Sequence, residues 1–182
     1  TLAETYEAIA LIGAVVGEPA RGRHLAAETQ AEIERIAERQ RPPYRPRVYF
    51  EEWDEPLISG IAWVSELIEL AGGEDIFSEL REGRAASERF VTASEVVSRN
   101  PEVIVASWCG KKARLEKIAA RPGWDQVAAV RTGRLHEIKA PDILQPGPSM
   151  VHGARLLAEF IDSAASGEPQ AGRLIGPGST AK

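Results

Sequence analysis

The chain has 182 residues, 43% of them hydrophobic and 27% charged, which is the composition of an ordinary globular domain. Lysine and arginine number 22 against 27 aspartates and glutamates, a net charge of −5 with the basic residues scattered, and this excludes the electrostatic footprint of a nucleic-acid binder. Cys109 is the one cysteine, which excludes an internal disulfide; no apolar run approaches the roughly 20 residues needed to cross a bilayer, and no basic-then-apolar leader opens the chain.

Leu2, Tyr6, Ile9, Ile12, Ala14 and Val16 recur at helical spacing and predict a helix that stops at Gly17. Over 20–40, Leu25, Ile33 and Ile36 form a narrow apolar stripe with glutamate and arginine around it, the pattern of a long, mostly solvated connector helix. Pro42, Pro43 and Pro46 break the chain, and 47–50 reads as a short buried strand. Ile61, Val64, Leu67, Ile68 and Ala71 share one face of the next helix, which Gly72 and Gly73 end. Residues 93–99 predict a short helix closed by Pro101, and 103–106 a β-branched strand. A helix over 114–120, a turn at Pro122 and Gly123 with a short helical stretch to Val130, a strand at 135–138 and a helix between 146 and 164 follow. Residues 165–182, rich in Gly, Pro and Ser, predict a disordered tail. Strands alternating with helices predict an α/β lobe of three layers, a mostly parallel sheet flanked by helices.

In such sheets, ligands meet the loops beyond the carboxyl ends of the strands. Three loops hold that position: 51–60 (EEWDEPLISG), 107–112 (SWCGKK) and 139–148 (KAPDILQPGP). In the first, Glu51, Glu52, Asp54 and Glu55 alternate faces, so no more than about half of them can share a site, and a solvated charge run is expected over a metal cage. Trp53 either plugs the edge of the core or offers a flat face to a ligand. In the second, Lys111 and Lys112 beside Cys109 could lower a thiol pKa, but His24, His136 and His152 are dispersed and none is marked as its base, so an inert cysteine is expected. Two lysines beside Trp108 better suit a docking surface or an anionic ligand. One cysteine and three scattered histidines predict no metal site, and no glycine-rich loop opens a helix to hold a phosphate; no cofactor is expected.

The order VYFEEWDEPLISG, a helix ending LIELAGGEDIF, then SEVVSRNPEVIVAS, RPGWDQVAAVRTGRLHEI and ILQPGPSMVHGARLLAEF resembles the cobalamin-binding branch of the ABC-transporter solute-binding proteins, a class III periplasmic binding fold with a helical backbone. The resemblance runs from about Leu2 through Ile161. It implies two α/β lobes joined by one long helix with the ligand between them. Residues 1–41 then read as the helical end of a first lobe with the connector, 42–164 as the ligand-binding second lobe and 165–182 as the tail, and the first lobe is expected to precede Thr1. The implied function is binding, with no catalysis: the substrate-binding component of an ABC importer for a corrinoid or another bulky metal chelate, with an ABC permease as partner and a periplasmic or extracytoplasmic location.

The resemblance carries roles over by position. Leu57 matches an apolar ligand-contacting position, with Trp53, Asp54 and Pro56 just upstream on the same loop. Asp142 and Gln145 lie near the positions of a ligand-binding acid and arginine, and Gln145 departs from the arginine, losing a charge-assisted contact. A corrinoid-contacting tryptophan of cobalamin binders falls near Arg89 or Phe90, a second departure, for which Trp108 is the candidate aromatic wall. Glu95 matches a surface glutamate that docks the lobe onto the permease; the same residue also reads as a first-turn acid that stabilises its helix. Two alternatives stay open: a cytoplasmic ligand-sensing module of this fold, and a thiol-dependent enzyme or redox sensor using Cys109.

Overall fold

In the computed structural model, which describes residues 1–167, β1 (Arg47–Asp54) is the centre of a five-stranded sheet. On one side it pairs in parallel with β4 (Val103–Ala106), which pairs in turn with β5 (Leu135–Glu137). On the other side it pairs in parallel with β3 (Glu74–Asp75) and antiparallel with β2 (Leu57–Ser59). Val48 sits opposite Val103 and Phe50 opposite Val105, so β-branched and aromatic side chains align across the two central strands.

Alternation along the strands divides the core in two. Val48, Phe50, Val103 and Val105 face α3 (Ala62–Leu70), α8 (Met150–Ala165) and Ile33 of α2 (Pro19–Glu38). Tyr49, Ile104 and Ala106 face the other layer, built from Val96 of α4 (Ala93–Arg99), Ile118 of α5 (Leu115–Ala119), Ala129 of α6 (Ala128–Thr132) and the buried Trp124. The result is the expected α/β fold, a mostly parallel sheet with helices on both faces. Among the described residues no helix is long and apolar enough to cross a membrane.

α1 (Leu2–Val15) packs along α2, and the two backbones nearly touch: a Cβ on Gly13 would lie 2.5 Å from the Gly22 Cα. Leu2 joins the lobe core with Tyr6 beside it, whereas Ile12 and Val16, expected on the buried stripe, are exposed together with Leu11 and Val15. The glycine pair explains the difference, because the helices meet there through backbone and need no apolar side chain between them. At the other end of α2, the Arg39 guanidinium donates to both carboxylate oxygens of Asp162 at 2.8 and 2.9 Å and to the Ala71 carbonyl at 2.7 Å.

The structure departs from the sequence reading mainly at the strand ends. β1 continues four residues beyond its expected end and takes Glu51 to Asp54 into the sheet, where they pair with β2; an extra residue between Glu51 and Trp53 shifts the register. The expected first loop is therefore a β-hairpin whose tip is the cis Glu55-Pro56 bond. The third loop contains α7 (Ala140–Ile143), and α8 starts at Met150, after the prolines at 146 and 148. The helical stretch expected up to Val130 is interrupted at Val127, which is extended. Ala165 still belongs to α8, and the expected tail from 168 onward lies outside the described residues.

Candidate functional site

The strand ends of β1 and β4 are joined by charge. Glu51 faces the same layer as Tyr49 and is fully buried; its carboxylate accepts from Arg121 Nη2 at 2.9 Å and from the Trp108 indole N–H at 3.1 Å. Burial pushes the Glu51 carboxyl above its ordinary range, and the hydrogen bonds from Arg121 and Trp108 counter that push. Arg121 in turn lies over the Trp124 ring, 4.6 Å from its centroid. Glu52 is paired with the buried Arg89 through two bonds of 2.6 and 3.1 Å. The expected solvated charge run is thus corrected: of its four acids, Glu51 holds the half-buried Arg121, Glu52 the buried Arg89 and Asp54 a lysine, and Glu55 alone is exposed. Among the described residues no group of three or more His, Cys, Asp or Glu is placed to hold a metal.

Lys111, from the loop after β4, is the residue that gathers the candidate site. Its Nζ donates to Asp54 at 2.7 Å and lies 4.0 Å from the centroid of the Trp53 ring and 4.8 Å from that of Trp108. Cation–π attraction of this kind contributes about 0.5–1 kcal/mol at exposed positions. Burial is the largest single influence on Asp54 and opposes its ionisation, but the hydrogen bond and charge of Lys111, a backbone hydrogen bond and the charge of Arg121 together outweigh it and hold the carboxyl below its ordinary range. Next to this cluster, a depression of about 560 Å³ opens beyond β4 and β5, floored by Trp108, Ile138, Ala140 and Pro141. Its edge is tied down where Glu137 accepts the Ala113 N–H at 2.7 Å.

The structure therefore brings Trp53, Asp54 and Trp108 together through Lys111. Trp53 is half-buried against the second core layer, with its indole N–H donated to the Glu55 carbonyl at 3.0 Å, so it plugs the core edge and still presents part of its ring. Trp108 is 3% exposed and offers an edge, in place of the open aromatic wall expected of it. Leu57 is buried in the same layer, and Pro56 is exposed at the hairpin tip. Asp142 on α7 follows directly after Pro141, with the exposed Gln145 beyond the end of that helix, and neither is among the lining residues of the depression. α7 itself is fixed to α3 by the Trp63 indole, which donates to the Ile143 carbonyl at 2.9 Å. Where the resemblance places a tryptophan, Arg89 is 2% exposed and bound to Glu52, and Phe90 is the exposed aromatic, bridged to Ile58 of β2.

Glu95 is exposed in the first turn of α4, where its Oε2 accepts both the Thr92 N–H and hydroxyl at 2.7 and 2.6 Å in a reciprocal capping box. The Thr92 hydroxyl is the main cause of the lowered pKa of this carboxylate. Cys109 is exposed, and among the described residues no hydrogen bond joins it to a histidine: His24 pairs with Glu28, and His136 stacks on Phe160. Sequence reading missed Arg121 altogether and met Arg89 only as a departure from an expected tryptophan, not as the partner of Glu52. Acids that directly continue an apolar strand are a signal that counter-ions are needed, but nothing local points to which arginines supply them.

A family model described as periplasmic binding protein matches residues 1–141. A vitamin B12-binding protein of Vibrio campbellii (strain ATCC BAA-1116) is 33% identical over 92 residues, 50% of this chain and 32% of that protein. Among solved structures, the periplasmic heme-binding protein RhuT of Roseiflexus sp. RS-1 superposes with a TM-score of 0.71 at 21% identity, covering 88% of this chain and 62% of the other. The periplasmic vitamin B12 binding protein BtuF of Vibrio cholerae superposes with a TM-score of 0.64 at 20% identity, over 90% of this chain and 62% of that one. The chain spans about half the length of the curated relatives that it matches along most of its own sequence. With the family model covering most of the sequence and the same layered fold recurring in these structures, the chain belongs to the periplasmic binding protein family.

Proposed function

We propose that the chain supplies one wall of a ligand cleft in the substrate-binding component of an ABC importer, and that the ligand is a bulky metal chelate, a corrinoid or a chelate of comparable size. The observation that carries this reading is the cluster of Trp53, Asp54, Lys111 and Trp108 where β1 and β4 end. It combines an aromatic surface with a few fixed polar groups, the usual make-up of a site for a large, flat ligand. The family's binding role and the vitamin B12 and heme named for its relatives support the class. Leu57 and Pro56 continue the wall along the hairpin, Asp142 and Gln145 border it from the α7 side, and the other wall comes from the part of the longer relatives that this chain does not span. The location is extracytoplasmic, as for the relatives.

Titrating the intact protein with cyanocobalamin and with hemin, and following tryptophan fluorescence, tests the reading. A saturable change with at least one chelate is expected, and Trp53→Ala weakens it about tenfold, the equivalent of about 1.4 kcal/mol. A flat titration with both removes the proposal. Glu95 is proposed to dock this lobe onto the permease. Glu95→Gln keeps the capping box, which accepts glutamine, and removes the charge. Uptake in cells is expected to fall severalfold with ligand affinity intact; a ligand sensor unconnected to transport would show no such loss.

A further inference from the structure

The depression beyond β4 and β5 has a charge pattern that the expected site residues do not account for. Lys111 and Lys112 line it from one loop and Lys139 from another, and Glu137 is the single carboxylate in its lining. Glu137 is engaged by the Ala113 N–H, and Lys111 is neutralised by Asp54. Lys112 and Lys139 are exposed and have no carboxylate within ion-pair distance among the described residues. The whole chain carries a net charge of −5, so two ammonium groups without an ion-pair partner among the described residues run against its overall balance at this depression. Below them the floor is apolar: the edge of Trp108, Ile138, Ala140 and Pro141.

We infer that this depression receives a carboxylate of the ligand, with Lys112 and Lys139 as the specificity-determining pair, so that the chelate is one with an apolar body and acidic groups at its periphery. The inference rests on the proposed binding role and narrows its ligand class. A neutral ligand closing over the depression would strip water from two ammonium groups and return no counter-charge, which is costly. A carboxylate returns charge-assisted hydrogen bonds to both, while the apolar body covers Trp108 and Ile138. Lys111 is a poorer partner, because Asp54 already occupies it.

Hemin and hemin dimethyl ester are the probes, since they share one macrocycle and differ in two carboxylates. In titrations of the intact protein followed by tryptophan quenching, the acid is expected to bind at least tenfold more tightly than the ester. In the Lys112→Gln/Lys139→Gln double variant, the ratio of the two affinities falls towards one. Both lysines lie on the surface, and an unchanged melting curve confirms that the variant is folded. An ester that binds as tightly as the acid, or a ratio that survives the double substitution, overturns the inference while leaving the binding role standing. Failure of both probes and of cyanocobalamin overturns the binding role and this inference with it.

Discussion

Replacing Arg121 by methionine is expected to lower the stability of the fold at neutral pH by about 3–5 kcal/mol, the usual consequence of removing one partner of a buried ion pair. Methionine keeps much of the packing over Trp124, so the loss comes chiefly from the Glu51 carboxylate, which stays buried with only the Trp108 N–H to satisfy it. The pH dependence identifies the cause. Burial already raises the folded-state pKa of Glu51 above its ordinary value of 4.5, and without Arg121 that push is opposed less. A carboxyl with a raised folded pKa favours the folded state when protonated. Its destabilising effect is therefore present above the folded pKa and disappears as the pH falls to the unfolded value. The difference between wild type and variant should shrink steadily from pH 7 to about pH 4.5 in urea titrations at matched pH. Glu95, whose carboxyl is held low by Thr92, loses its stabilising effect only as the pH falls below its ordinary value of 4.5, outside this range and equally in both proteins. A difference that stays constant with pH would show that Arg121 acts through packing and not through Glu51.

Gly153→Ala is expected to cost about 1–3 kcal/mol by overpacking. A Cβ at Gly153 would lie 2.2 Å from the Asp142 carbonyl oxygen and 3.0 Å from its carbonyl carbon, so the clash is with backbone and no side-chain rotation relieves it. α7 must move away from α8, and Asp142 and Gln145 move with it. Gly147→Ala is the matched control, since a Cβ there meets nothing within 4 Å. The urea midpoint is expected to drop for Gly153→Ala and to stay within error for Gly147→Ala, with the slope unchanged in both. Equal midpoints for the two variants would mean that the α7–α8 contact yields freely.

These two sites also show why parts of the structure could be read from sequence and others could not. The strands over 47–50 and 103–106 and the helix ending at Gly72 were legible because apolar and β-branched runs stand between prolines and glycines, a local signal. The continuation of β1 was not, because Glu51, Glu52 and Asp54 look like a solvated run until their partners are known. Those partners lie 70, 37 and 57 positions away, at Arg121, Arg89 and Lys111. β2, of three residues, and β3, of two, are too short for any periodicity. Strand-end position marked Trp53, Asp54 and Trp108 as candidates. It could not reveal that Trp108 is nearly buried, or that Lys111 holds the three together. The Gly13–Gly22 contact was equally invisible, since a close approach of two backbones leaves no trace in hydropathy, and it left Ile12 and Val16 outside the core.

The Arg39 clamp makes α2 a lever. The helix has 20 residues and is about 30 Å long, and Arg39, just past its end, fixes it to α8 through Asp162 and to the end of α3 through Ala71. Ile33, one turn and a half earlier, is buried in the lobe core. The fulcrum is therefore stiff, and the arm beyond it, with α1 packed along one side, follows any rotation of the lobe. A tilt too small to disturb the packing around Ile33 becomes a displacement of ångströms at the Pro19 end, so whatever contacts that end registers the lobe's orientation in amplified form.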